Sequence, residues 1–227
     1  DFLTETGTLM ALADTRCTIL NTEGDLPAID SAETIHMMPG ATWSEGACGT
    51  NAIGTALAVG KPVQIHSAEH FCEGIKRWTC SATVMRHPLD GEVVGVLDVS
   101  GLSQTYNRQT LALVVTAASR IEARLAAAEM ERRYRLLDRA MGPNRRRKSS
   151  EKLRKGRLAA EGLSLVARDV GGEVVATVRL WHVEAGVDRL GQPVAALLLG
   201  PLAVGSAREG QGIGAALMRA AIAEAKQ

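Results

Sequence analysis

Apolar and polar positions alternate from Thr8 to Asp14, and apolar positions return from Cys17 to Asn21 beyond the polar tip Asp14-Thr-Arg16. This pattern predicts a strand, a tight turn and a second strand. From Gly49 to Val59 the apolar residues recur at helical spacing until Gly60-Lys-Pro62 stops them, which predicts a helix. Val63-Gln-Ile-His66 reads as a short strand. The runs Ser81 to Arg86 and Val93 to Val99, joined by Pro88-Leu-Asp-Gly91, predict a second hairpin with Asp90-Gly91 at its turn.

From Asn107 to Arg139 the pattern becomes that of one long helix. Leu111, Val114, Val115, Ala118, Ile121, Leu125, Tyr134 and Leu137 fall mostly three or four apart, and no Gly or Pro interrupts them before Gly142-Pro143. Such a stripe suits a dimer seam and signalling connector, and equally a helix lying on its own domain. Asn144 to Arg157 hold eight Lys or Arg against one acid. No recognition-helix pattern follows and Leu153 and Leu158 give the segment an apolar side, which favours a solvated helix face over a nucleic-acid arm. Leu163 to Asp169, a Gly171-Gly172 turn and Val174 to Val183 predict a further hairpin, followed by a strand over Ala195 to Val204. Next comes Arg208-Glu-Gly-Gln-Gly-Ile-Gly-Ala215, a glycine-rich loop opening a helix over Ala216 to Ala225. Strands with interspersed helices give an α+β class.

Composition narrows this picture. A length of 227 residues fits one large or two small domains, and 46% hydrophobic with 22% charged residues is an ordinary globular balance. A net charge of +1 gives no global attraction to nucleic acid. No run has the apolar length of a spanning helix and no secretion signal opens the chain, so a cytoplasmic protein without membrane association is expected. Cys17, Cys48, Cys72 and Cys80 are then reduced thiols. The first residue is Asp1, not Met, which reads as a piece of a longer or processed chain.

Chemistry concentrates between Trp43 and Ser81, which hold three of the four cysteines, two of the three tryptophans and one of the two phenylalanines. Thiols and polar groups beside bulky rings suit a small-molecule pocket, mostly apolar with a few fixed polar contacts. The candidate lining is Trp43, Phe71 and Trp78 with Cys48, Cys72 and Cys80; Thr50, Asn51, His66 and His70 are the polar contacts. Each has a plainer reading: the aromatics as core, the thiols as buried small residues, Asn51 as a helix cap. Cys48, beside Gly49 at an expected helix start, is also weighed as a thiol of lowered pKa. The Cys72-x7-Cys80 spacing fits no compact zinc knuckle, so no metal is assigned.

The segments Glu45-Gly-Ala-Cys-Gly-Thr-Asn-Ala-Ile-Gly-Thr-Ala-Leu57, Pro62-Val-Gln-Ile-His66, Glu69-His-Phe-Cys72 and Lys76-Arg-Trp-Thr-Cys-Ser81 resemble the GAF sensor domain of sigma-54-dependent bacterial activators, those of acetoin catabolism in particular. The resemblance runs from about Phe2 to Arg139. It implies a GAF-type antiparallel sheet with flanking helices, a small neutral effector, and transmission of occupancy through the long helix. A homodimer through the 107–139 helix is the expected assembly. No Walker loop or helix-turn-helix pattern is present, so direct DNA binding by this chain is not expected.

Strand, glycine loop, helix is the context in which Gly210, Gly212 and Gly214 become credible as a pyrophosphate cradle. With Leu199-Gly-Pro-Leu-Ala-Val204, Gly212-Ile-Gly-Ala-Ala-Leu217 and Leu136-Leu-Asp-Arg-Ala140 the segment resembles the GNAT acetyltransferases from about Leu136 to Gln227. The resemblance implies acetyl-CoA as cofactor, phosphate contacts from Gly210, Gln211, Gly212, Gly214 and Ala215, and backbone of Leu202 and Val204 for the pantetheine arm. Glu184, after Trp181-His182, is the candidate base for an attacking amine, with a solvent-facing strand carboxylate as the plainer reading. Two departures stand out. Glu209 occupies the place where the family has Gln or Arg, and the family's first strand, fifth strand and following helix have no counterpart, so a partial α/β unit is expected. The expected organisation is therefore a sensing domain over 1–135 and a partial GNAT-like domain over 136–227. A GAF-regulated GNAT N-acetyltransferase is the alternative to a purely sensing role.

Overall fold

The computed structural model describes residues 6–88, 91–105, 107–147, 153–154, 157 and 159–226. Asp90 of the second hairpin's turn, Leu158 and much of the basic segment lie outside the described residues. The chain divides into two compact units, residues 1–125 and 126–227. The boundary falls inside the long helix, upstream of the 135/136 division that the two resemblances imply.

The first unit contains β1 (Thr8–Ala13), β2 (Ile19–Gly24), α1 (Leu26–Glu33), α2 (Glu45–Cys48), α3 (Ala52–Val59), β3 (Val63–His66), β4 (Trp78–Arg86), β5 (Val93–Leu102) and the first half of α4 (Gln109–Met141). The five strands form one antiparallel sheet in the order β2-β1-β5-β4-β3. Both faces of its centre are covered. On the inner face Leu9, Ala11, Trp78, Ala82 and Val96 join a core with Ala28, Trp43, Ile53 and Ala56. On the outer face Met10, Leu12, Leu97 and Val99 meet Val114 and Ala118 of α4. Being buried on both sides, β4 loses the alternation of a half-exposed strand. It begins at Trp78 rather than Ser81, because its polar residues Thr79, Cys80, Ser81 and Thr83 are buried as well.

Two local departures have clear causes. The helix expected over Gly49–Val59 is two helices, broken where Gly49 takes φ +66° and Asn51 is extended. A Cβ on Gly49 would sit 2.5 Å from the Phe71 ring, so this turn requires glycine for its conformation and for its space. Helix α1 has no counterpart in the sequence reading; Pro27 sits in its first turn, where a missing N–H costs nothing, and Ala28 and Ala32 are its buried side.

The second unit holds the rest of α4, β6 (Ser164–Arg168), β7 (Val174–Val187), β8 (Pro193–Val204) and α5 (Ile213–Glu224). Its sheet is antiparallel, in the order β6-β7-β8. Leu217 and Ala221 of α5 pack on Ala176, Val178 and Leu180. Thr177 pairs with Ala203 but Arg179 with Gly200, so β8 carries one extra residue at Pro201-Leu202, a bulge. Among the described residues β8 pairs with β7 alone and forms the sheet edge. Here α4 is fastened by charge: Arg133, fully buried, donates to Ser164 O at 2.8 Å and to Ser164 Oγ. Glu129 lies 3.9 Å from Arg133 Nε and 2.8 Å from Arg168 Nη2.

Candidate functional site

The structure brings Trp43, Cys48, Cys72, Trp78 and Cys80 of the 43–81 stretch into or against the inner-face core, and puts Thr50, His66 and Phe71 elsewhere. Trp43 and Trp78 are buried in the inner-face core, 4% and 0% exposed, and Trp43 Nε1 donates to His36 O at 3.2 Å. Cys80 is on the same inner face, opposite Ser100 in the ladder. His66 pairs with Thr79, one residue out of phase with Cys80, so it belongs to the outer face, where its Nδ1 lies 2.7 Å from Thr79 Oγ1. Phe71 is 74% exposed and Thr50 is exposed, linked by Phe71 N donating to Thr50 O. Cys72 Sγ donates to Cys48 O at 3.1 Å, tying the end of α2 to the segment before β4.

Two roles weighed from the sequence resolve structurally. Asn51 caps α3: its Oδ1 accepts from Gly54 N at 2.9 Å while its Nδ2 donates to Gly49 O at 2.8 Å. Buried and occupied at both ends, it holds the α2–α3 corner. Cys48 ends α2 rather than opening a helix, so no N-terminal dipole favours its thiolate. Burial, and then neighbouring Cys72, raise its pKa, which is the opposite of an activated thiol.

The inner face carries two polar residues that sequence reasoning missed. Asp98 and Ser100 of β5 are both fully buried, and Ser100 Oγ donates to Asp98 Oδ2 at 2.6 Å. Asp98 Oδ1 has no partner, and burial, only partly offset by the Ser100 bond, pushes this carboxyl up to about 7. Trp78 Nε1 and His70 Nε2 are buried and unpartnered too. Burial lowers the His70 pKa against the opposing pull of Ser67 O, which its Nδ1 meets at 3.1 Å. The Cys80 thiol is driven well above its usual range by burial, with Asp98 adding to it. Native interiors leave few such groups unsatisfied; the second unit has its own in Glu129 Oε1, Arg133 Nε, Arg145 Nη2 and Arg179 Nε, and on the inner face of the first it is Asp98 Oδ1 that calls for an explanation. A polar Asp-x-Ser in an otherwise apolar strand was the available signal.

In the second unit the glycine-rich loop leads directly into α5. Gly210 and Gly212 both take left-handed φ, +76° and +75°, and Gly212 caps α5 with no side chain to obstruct its first amides. A Cβ on Gly214 would meet Val204 Cγ2 at 3.3 Å, so the glycine lets the helix lie close on β8. Gln211, Gly212, Ile213 and Ala216 line a cavity of about 530 Å³ with Ala167 and Leu217. Open amides at a helix N-terminus fit a pyrophosphate. The helix starts at Ile213, so Gly214 and Ala215 are in its first turn. Glu209 is exposed beside the loop, while Arg208 is drawn to Asp169 at 3.5 Å. Leu202 lies at the bulge of β8 and Val204 ends the strand. Glu184, exposed on β7, lines a second cavity of about 690 Å³ with Arg157, His182, Pro193 and Leu198. Among the described residues no group of three His, Cys, Asp or Glu is placed to hold a metal ion, and no helix is long and apolar enough to cross a membrane.

Comparison with known proteins agrees with both halves of this description. Residues 130–227 match the acetyltransferase (GNAT) family. The chain is 40% identical over 134 residues to the 47.3 kDa protein of the thcA 5′ region of Rhodococcus erythropolis, covering 59% of this chain and 29% of that protein. It is 36% identical over 128 residues to the acetoin dehydrogenase operon transcriptional activator AcoR of Bacillus subtilis strain 168, covering 56% of this chain and 21% of the activator. It thus spans less than a third of the length of either relative. A chain in the crystal structure of the E. coli DhaR(N)–DhaL complex superposes with a TM-score of 0.54 at 16% identity, over 86% of this chain and 79% of that one, a likeness of fold. Residues 4–125, more than half of the chain, match the GAF domain family, and the chain belongs to that family.

Proposed function

We propose that the first unit is the small-molecule-sensing module of a bacterial transcriptional regulator and that α4 carries its state onward. The observation that carries this reading is the helix itself. One unbroken element of 33 residues covers the outer face of the GAF sheet through Val114 and Ala118, then is fixed within the second unit through Glu129 and Arg133. An effector biases such an element only if it favours one of two arrangements of it. The inner face, with Trp43, Trp78 and Cys80, is where a small neutral effector fits best, and His70, buried with its Nε2 unpartnered, is a further polar candidate. Cys48, Thr50, Asn51, Phe71 and Cys72 shape the entrance segment, and His66 is assigned to the outer face. Val114 and Ala118 are occupied by their own sheet, so a homodimer along 107–139 would use exposed residues such as Leu113 and Leu125. A cytoplasmic location follows from this role.

The second unit, on this reading, binds acetyl-CoA by its phosphates at Gly210–Ala215, with backbone of Leu202 and Val204 along the pantetheine arm. A GAF-regulated N-acetyltransferase is favoured to the extent that Glu184 lines a cavity able to take an amine. Isothermal titration of the whole chain with acetoin, the compound after which the operon of the B. subtilis relative is named, and with acetyl-CoA tests both. Binding of acetoin with a change in tryptophan emission, and acetyl-CoA binding without turnover on simple amines, is the expected result. Turnover unaffected by any neutral small molecule would place the function in the second unit.

A further inference from the structure

Asp98 lies wholly inside the first unit, at the centre of the sheet and on its inner face. Across the ladders it faces Ala11 of β1 and Ala82 of β4, with Cys80 diagonal to it. Helix α3, packed over β4 and β5, brings Ala52, Ile53 and Ala56. Of the groups facing it from β1, β4 and α3, Cys80 is the titratable one, and burial keeps that thiol protonated. Among the described residues no cation offsets Asp98, and an isolated carboxylate in such surroundings neutralises rather than stays charged. Its Oδ2 already accepts from Ser100, so the proton of the neutral acid belongs on the unpartnered Oδ1.

We propose that Asp98 is the polar anchor of the effector site, donating from Oδ1 to an oxygen of an uncharged ligand, with Trp78 Nε1 as a second donor further along the same face. The inference rests on the sensing role proposed above and adds the residue that selects the ligand. Two unpartnered donors among apolar side chains favour a small molecule with carbonyl, ether or hydroxyl oxygens. An anionic ligand would be buried with no counter-charge on that face, and the small neighbours Ala11, Cys80, Ala82 and Ala56 favour a molecule of a few carbons.

The test is calorimetry on the full chain with acetoin, butanone and butylamine between pH 6 and pH 8. Acetoin and butanone are expected to bind, and to weaken about tenfold from pH 6 to pH 8, because only the protonated acid can donate. Asp98→Asn keeps a donor and is expected to bind without that pH dependence; Asp98→Ala is expected to lose about tenfold or more. The wild-type pH profile decides the matter even if a variant fails to fold. A flat profile, Asp98→Ala binding as well as wild type, or butylamine binding that strengthens as pH rises overturns the anchor while leaving the sensing role standing. Failure of all three probes to bind the wild type overturns the sensing role and the anchor with it.

Discussion

Each unit buries charge-bearing side chains, and treats them in opposite ways. In the second unit Arg133 is fully enclosed and pulled down to about 10 by burial and by Arg179; its two Nη atoms are both held by Ser164, its Nε lies 3.9 Å from Glu129 without a hydrogen bond, and Glu129 is paired with Arg168. In the first unit Asp98 is equally enclosed, and among the described residues its side chain is bonded to Ser100 alone. Buried charges that are paired and hydrogen-bonded hold a structure in one arrangement. A buried acid without a partner costs stability and is retained where something else uses it. The polar cluster on α4 is therefore a fastening, and the one on β5 is the basis of the proposed effector site.

The sharpest way to break this comparison is to remove one member of each cluster. Glu129→Ala leaves the buried Arg133 without its counter-ion beside Arg168 and Arg179, and is expected to destabilise the second unit by about 3–5 kcal/mol. Adding Arg133→Met should recover most of that loss, since an apolar side chain of similar length fills the same space. Denaturant unfolding read by far-UV circular dichroism measures both. A Glu129→Ala loss below 1 kcal/mol would mean that the network is solvated and fastens nothing.

The second largest effect has the opposite sign. The folded-state pKa of Asp98 is raised from 3.8 to about 7, so the fold binds the proton more tightly than the unfolded chain does. Its contribution is most favourable below pH 4 and is lost as pH rises through 7. Asp98→Asn removes that loss, and should stabilise the first unit by something on the order of 2–4 kcal/mol at pH 8 and by about 1–2 kcal/mol at pH 5. Thermal melts at the two pH values read it directly. Equal destabilisation at both would show that Asp98 is paired in solution, and would erase the contrast with Glu129.

Asn51 supplies a middle rung. It is a structural corner, so Asn51→Ala is expected to cost about 0.5–2 kcal/mol through the lost α3 cap, while acetoin affinity falls no more than the stability loss explains. A variant of unchanged stability that no longer binds acetoin would return Asn51 to the site. The same residue shows what the sequence could and could not convey. The α+β class, both hairpins of the first unit, the long helix and the glycine loop all follow from local periodicity and turn residues, and the structure contains them. What periodicity could not convey was the second face. His66 and Cys80 are both in the crowded 43–81 stretch, but strand phase sends them to opposite sides of the sheet. Asp98 and Ser100 lie outside that stretch altogether, and only the β4–β5 pairing brings them beside Cys80. Helix α1 was hidden because its eight residues make only about two turns, too few for a helical period to show.

The smallest effect concerns the loop of the second unit, where charge is exposed rather than buried. Glu209 is solvent-facing, next to amides that fit a phosphate, and Arg208 is engaged with Asp169 instead of turned to the loop. The carboxylate there opposes an incoming dianion, but water and salt screen the repulsion. Glu209→Gln is therefore expected to tighten acetyl-CoA binding only about two- to fivefold, at the scale of an exposed charge pair. The gain should shrink as ionic strength rises, because screening acts on the wild-type penalty and not on the amide. Titration calorimetry at low and high salt separates the two cases: a salt-independent gain would mean that Gln makes a direct contact, and no gain at either salt would place the phosphates away from Gly210–Ala215. In the first unit no such salt dependence is expected, since Asp98 is shielded from ions by the core around it. That difference in response to salt is the finest distinction between a site built on the surface and one built inside a sheet.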